Sequence, residues 1–196
     1  MAEIILRLAK EEDAQAVLEI YTEYIYDKTV GLEITPPSCE EMGQQICLCQ
    51  GKYPFLVAEM SGEVLGYAYA IKHREGVAFG HNVLVSMYAA KKHSGKGIGR
   101  ALYEALEGIL KAMGIINVYS VTTFHPKGEY FHLGRDFMEA GRLRKAAFAQ
   151  GKWRDLITYE KSLALHEENP KPIRTIGEFS KEELSEIYHK AKKQIF

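Results

Sequence analysis

Ser94-Gly95-Lys96-Gly97-Ile98-Gly99-Arg100 is the stretch on which the reading of this chain turns. It stands between a β-rich run, Val83 to Tyr88, and the strongest helical pattern of the sequence. In that pattern Ile98, Ala101, Leu102, Ala105, Leu106, Ile109, Leu110 and Met113 recur at i, i+3, i+4 and i+7, and Gly114 is set to end the helix. Three alternating glycines at a strand-to-helix turn let backbone approach a ligand closely. The unpaired N–H groups and the dipole of the helix start then favour an anion, so a phosphate or pyrophosphate suits this turn. The two common nucleotide fingerprints do not fit. A dinucleotide-binding loop started at Gly95 or Gly97 would need Gly or Ala where Arg100 or Leu102 stands, and a P-loop would need Gly at Ala90 and Ser or Thr at Gly97.

Working outward, Ile4–Leu8 reads as a strand, and Ala14, Val17, Leu18, Tyr21 and Ile25 share one helix face. Thr35-Pro36-Pro37-Ser38 breaks the chain, and Ser38 with Glu41 forms a capping box for a helix to about Cys49. Strands follow at Phe55–Met60 and Val64–Ile71, joined by a Ser61-Gly62-Glu63 turn. Beyond the central helix come a strand at Val118–Thr123, a short helix near Glu129–Gly134 and a strand at Leu156–Leu163. The order β-α-α-β-β-β-α-β-α-β indicates a mixed α/β fold with helices on both faces of one sheet. After Leu165 the chain turns polar and Pro-broken, and Ser180 with Glu183 caps a terminal amphipathic helix. The expected division is a domain over 1–165 and a helical extension over 166–196.

The totals narrow the class of protein. The chain has 196 residues, 25 Lys+Arg, 26 Asp+Glu and a net charge of −1, with 46% hydrophobic residues. That composition suits a folded chain, and it carries neither the basic footprint of a nucleic-acid binder nor an apolar run that spans a membrane. With no signal-peptide pattern at Met1-Ala2-Glu3, a cytoplasmic location is expected. Cys39, Cys47 and Cys49 are odd in number and clustered, which argues against disulfides and against a zinc site; reduced, mostly buried thiols on a helix are expected, and no metal. Trp153 is expected to fill the core.

The x-x-Gly-x-Gly pattern after a strand resembles the pyrophosphate signature of the GNAT superfamily of N-acetyltransferases. The resemblance runs from about Ile5 to Leu163 and is nearest to the phosphinothricin and methionine-sulfoximine acetyltransferase branch. It is carried also by Leu6-Arg7 with Asp13-Ala14, by Tyr53-Pro54-Phe55-Leu56-Val57-Ala58-Glu59, by Val64-Leu65-Gly66-Tyr67-Ala68, by Val85-Ser86-Met87-Tyr88 and by Gly151-Lys152-Trp153-Arg154-Asp155. It implies a mostly antiparallel central sheet and acetyl-CoA as acyl donor. Met87, Tyr88 and Ala89 would pair with the pantetheine arm, Gly95, Lys96, Gly97, Ile98, Gly99 and Arg100 would cradle the pyrophosphate, and His125 would touch the cofactor. A small-molecule amine, amino-acid-like, would be the acceptor, met by Leu32, Glu33, Val77, Ala78 and Phe79. Relatives often dimerise, so a homodimer is within what the resemblance implies.

The departures fall on the chemistry. Where the branch carries a glutamate that accepts the amine proton, this chain has Leu84, and where it lines the pocket with Arg-x-Ala-Tyr, this chain has Gly76-Val77-Ala78-Phe79. Either another group moves the proton, with His81 and His132 as candidate general bases, or the domain binds acyl-CoA with little turnover.

Overall fold

The computed structural model describes residues 3–26, 35–123, 126–149 and 151–193. Its strands are β1 (Ile5–Leu8), β2 (Phe55–Met60), β3 (Glu63–Lys72), β4 (Asn82–Ala89), β5 (Asn117–Thr123), β6 (Met138–Ala149) and β7 (Lys152–Ser162). They form one sheet in the order β1-β2-β3-β4-β5-β7-β6. The pairings are antiparallel except that of β4 with β5, which is parallel. The helices are α1 (Ala14–Tyr26), α2 (Cys39–Gln50), α3 (Ile98–Met113), α4 (Pro126–Leu133) and α5 (Lys181–Lys192).

Helix α3 forms and docks as its periodicity requires. All eight residues of the predicted stripe are at most 2% exposed, and each large aliphatic among them contributes about 1.5–3 kcal/mol of burial. Gly114, in the left-handed conformation at φ 88°, ends the helix and donates to the Leu110 and Lys111 carbonyls. Close seating on the sheet depends on Gly66 of β3. A Cβ there would lie 2.9 Å from the Tyr88 carbonyl oxygen and 3.1 Å from Leu102 Cδ1. Ser38 and Ser180 cap α2 and α5 as the capping boxes predict.

The terminal helix packs on its own chain. Ile187 of α5 fits over Gly108 of α3, where a Cβ would stand 2.9 Å from Ile187 Cγ2, and Lys192 pairs with Glu3 at 2.6 Å. Arg174 N–H donates to the Met113 carbonyl and Ile176 N–H to that of Lys52. The extension thus covers the outer side of α3.

Three expectations are corrected. Strand β6 was not foreseen, because Met138–Ala149 is almost wholly exposed and shows no apolar alternation; backbone pairing with β7, interrupted by bulges, makes it a strand. Trp153 does not fill the core: it is 61% exposed on β7, its ring 5.3 Å from that of Phe148 across the hairpin. Of the cysteines only Cys49 is buried, its Sγ 3.0 Å from the Ala70 carbonyl oxygen, and burial pushes its thiol up to about 12.

Candidate active site

Strands β4 and β5 pair only over Asn82–Leu84 and Asn117–Tyr119, where the Asn117 amide also donates to Asn82 Oδ1 at 2.9 Å. Past that point each strand stays with its outer neighbour, β4 with β3 as far as Ala89 and β5 with β7 as far as Thr123. The sheet therefore splits into a wedge. Which backbone groups face it follows from alternation along β4. The His81 carbonyl accepts from Ile116 and Asn117, on the β5 side, whereas Ala90 N–H donates to Leu65, on the β3 side. Odd-numbered residues of β4 thus turn their backbone toward β5, and beyond the split this presents Val85 and Met87 to the wedge. Tyr88 bonds toward β3, and Ala89 is held by Tyr24, whose hydroxyl lies 2.6 Å from the Ala89 carbonyl oxygen. Of the three residues expected to pair with an extended ligand arm, Met87 and Ala89 turn their backbone to the gap and Tyr88 does not, and the Ala89 groups are engaged by Tyr24. The Tyr88 ring packs among Tyr21, Tyr24 and Tyr67, with centroids 5.1–5.3 Å away.

At the mouth of the wedge the chain turns through Gly95 (φ 82°) and Gly97 (φ 79°), both in the region that favours glycine. The Gly97 carbonyl accepts from Ala101 N–H, and Gly97 offers no side chain to cap α3, so the first N–H groups of the helix point outward. Gly99 brings this helix start against β4, since a Cβ there would lie 3.3 Å from Met87 Cε. Lys91 donates to the Glu23 carbonyl and Lys92 pairs with Glu63, while Lys96 and Arg100 stand exposed beside the turn. Uncapped donors, a helix dipole and two cations are the combination of groups that favours an anion.

The two histidines named from sequence are not brought together. His81 sits at the closed end of the β4–β5 pair, its Nε2 2.8 Å from the Lys171 carbonyl oxygen. His132 lies on α4, its ring stacked on Tyr159 at 4.4 Å. Its Nδ1 is 2.7 Å from the Gly128 carbonyl oxygen, which can only accept, so Nδ1 carries the proton and Nε2 accepts from the Ser120 hydroxyl at 2.9 Å. Burial holds its pKa below the ordinary histidine value, and the neutral ring has both nitrogens engaged.

Leu84 stands at the split, flanked across the sheet by Ile71 of β3 and Tyr119 of β5. On the same face, just past β3, is a histidine that sequence reasoning missed. The His73 ring lies parallel to Tyr119, centroids 4.2 Å apart, and its Nδ1 is enclosed with no hydrogen-bond partner among the described residues. The signal was the period of a strand: residue 73 follows Ile71 by two, so it faces the side that Ile71 and Leu84 share. Val77, Ala78 and Phe79 form a short 3-10 turn between β3 and β4, with Val77 and Ala78 exposed and the Arg74 guanidinium 5.8 Å from the Phe79 ring. Leu32, Glu33 and His125 lie outside the described residues. Among the described residues there is no cluster of three His, Cys, Asp or Glu able to hold a metal, and no helix long and apolar enough to cross a membrane.

Residues 6–158 match the family described as acetyltransferase (GNAT) domain. The chain is 29% identical over 172 residues to a phosphinothricin N-acetyltransferase of Streptomyces viridochromogenes, covering 87% of this chain and 93% of that one. It is 31% identical over 163 residues to the phosphinothricin N-acetyltransferase of Alcaligenes faecalis, covering 81% and 82%. Among solved structures, a phosphinothricin acetyltransferase from Sinorhizobium meliloti in complex with AcCoA superposes with a TM-score of 0.77 at 31% identity, covering 86% of this chain and 96% of that one.

Proposed function

The chain belongs to the GNAT acetyltransferase family, and from that premise we propose that it transfers the acetyl group of acetyl-CoA to the primary amine of a small molecule by direct attack on the thioester. The observation that carries this reading is the wedge between β4 and β5 with the uncapped start of α3 at its mouth. The residues fit such a donor. Gly95 and Gly97, at positive φ, shape a turn that leaves a pyrophosphate room against free N–H groups, Gly99 seats the helix start on β4, and the Met87 backbone offers an edge to an amide-bearing arm. When bound, the donor supplies an activated acyl carbon. A backbone N–H of β4 at the split supports its carbonyl oxygen as charge develops there, and holding the amine in line supplies much of the rate.

The relatives named above act, by their names, on phosphinothricin, an amino-acid analogue. An amino-acid-like amine is accordingly the acceptor class proposed here, met near Val77, Ala78 and Phe79, with Arg74 the cation of that segment. We also assign the protein to the cytoplasm and, because Met138, Leu143, Phe148 and Trp153 leave apolar surface exposed on the β6–β7 edge, to a homodimer.

The test is to titrate acetyl-CoA and then follow thiol release across a panel of primary amines that includes L-amino acids. Binding together with amine-dependent release of CoA is expected. Tight binding with no release from any amine would favour the second reading, an acyl-CoA-binding protein of little turnover, to which Leu84 in place of a carboxylate points.

A further inference from the structure

We propose that His73 is the general base of this site, performing from the end of β3 the proton transfer that Leu84 on β4 cannot. The proposal rests on the acetyl-transfer reading above and concerns the same wedge. The topology brings the histidine there. Strands β3 and β5 flank β4, each about 4.8 Å away, and a stack between His73 and Tyr119 therefore closes over β4 itself. The His73 N–H lies opposite the Asn82 carbonyl and Tyr119 is in register with Leu84, which sets the stacked pair between Asn82 and Leu84 on the face where Leu84 projects. The Leu84–Tyr119 end of that interval is where the sheet begins to split, and His73 stands over the last paired residues before it. Stacking holds this imidazole with its Nδ1 enclosed and unpartnered, which leaves Nε2 as the ring nitrogen that a ligand or a bridging water can reach.

The surroundings suit the task. Ile71 and Leu84 are apolar neighbours, Tyr119 lies under the ring, Asn82 is engaged with Asn117, Arg74 follows in the chain, and Lys72 pairs with Glu75. Burial, with Arg74 adding to it, holds the His73 pKa below its ordinary value. The ring is neutral at pH 7 and able to accept a proton. A glutamate at position 84 would instead favour the imidazolium, which accepts nothing. Leu84 and His73 therefore form one consistent arrangement.

The step balances as follows. The acceptor arrives as an ammonium and gives one proton to the His73 imidazole, directly or through water. The free amine nitrogen attacks the acetyl carbon, forming C–N, and the C–S bond breaks to release the thiolate. The second nitrogen proton passes to the thiolate to give CoA thiol, and the imidazolium returns its proton to solvent.

The test measures kcat/KM against pH, with the best amine of the panel, for the wild type, His73→Phe, His73→Gln and the double variant His73→Phe with Leu84→Glu. Acetyl-CoA affinity and thermal melts are followed in parallel. Phenylalanine keeps the stack on Tyr119 and removes both nitrogens. The expected result is a loss of about 100-fold in kcat/KM with acetyl-CoA affinity within about two-fold, disappearance of the limb that falls on acidification below about pH 6.5, and recovery in the double variant. The proposal is overturned if the wild type turns over but shows no such limb, or if either single variant keeps activity within about three-fold. A wild type that binds acetyl-CoA and acetylates no amine overturns the acetyl-transfer reading and this base with it, so the two failures are told apart by the wild type alone.

Discussion

The Tyr24 hydroxyl and the Ala89 carbonyl oxygen, 65 residues apart in sequence, lie 2.6 Å apart and tie helix α1 to the end of β4. The bond occupies the last backbone group of the strand that would otherwise open into the wedge, and it fixes where the free edge of β4 stops. Tyr24→Phe keeps the ring packed against Tyr88 and deletes the bond. A loss of about 1 kcal/mol in stability is expected, together with a rise of several-fold in the KM for acetyl-CoA and little change in kcat. Thermal melts and saturation kinetics check it; an unchanged KM would show that Ala89 does not bound the donor site.

Replacing Gly95 isolates the role of the glycine turn. No atom lies within 4 Å of a Cβ added there, so Gly95→Ala meets no clash and is opposed only by its φ of 82°. An L-residue in that conformation costs about 1–2 kcal/mol. Relief by reshaping the turn would lower acetyl-CoA affinity about ten-fold. Gly128→Ala, within α4 and equally open, is the matched control and should raise stability by up to about 1 kcal/mol through helix propensity. Calorimetric titration of acetyl-CoA against both variants distinguishes turn geometry from a general effect of added methyl groups.

Acid stability should report His132. Its pKa is lowered in the folded protein, chiefly by burial, so between that lowered value and about 6.5 the unfolded chain binds the extra proton. Stability is therefore full above about pH 6.5 and declines as the pH falls through that window; His73, lowered in the same direction, adds to the slope. His132→Phe strands the Ser120 hydroxyl and should cost about 1–3 kcal/mol at neutral pH, while flattening the decline on acidification. Urea denaturation at pH 5, 6 and 7 reads both effects, and an unaltered slope would mean that another group governs it.

Leu84→Glu in the otherwise native chain tests the pairing of residues 73 and 84 from the other side. The new carboxylate favours protonated His73, so the acidic limb of kcat/KM should shift upward by about one pH unit or more. A gain in turnover above ten-fold at neutral pH, with no shift of the limb, would instead show that the site had lacked a base.

Much of this was legible from local pattern. The α3 stripe, both capping boxes and the Gly95–Gly99 turn are short-range signals, and each is found where its spacing set it. β6 was hidden because an exposed edge strand leaves no apolar period; its pairing with β7 is a backbone matter. His73 was hidden for a different reason. Its meaning depends on the register of three strands, β3 against β4 and β4 against β5, and a search confined to residues near Leu84 in sequence stops at His81, which the fold turns toward Lys171.

Gly66 and Gly99 let helix α3 seat so closely on β3 and β4 that the start of the helix and the open edge of β4 cannot drift apart. The chain is in that sense a fixed gauge. The span from the split, where an acyl carbon would rest, to the N–H groups that would hold a diphosphate is set by close packing, so on the proposed reading donors would be sorted by the length of the arm between their two ends as well as by the acyl group they carry.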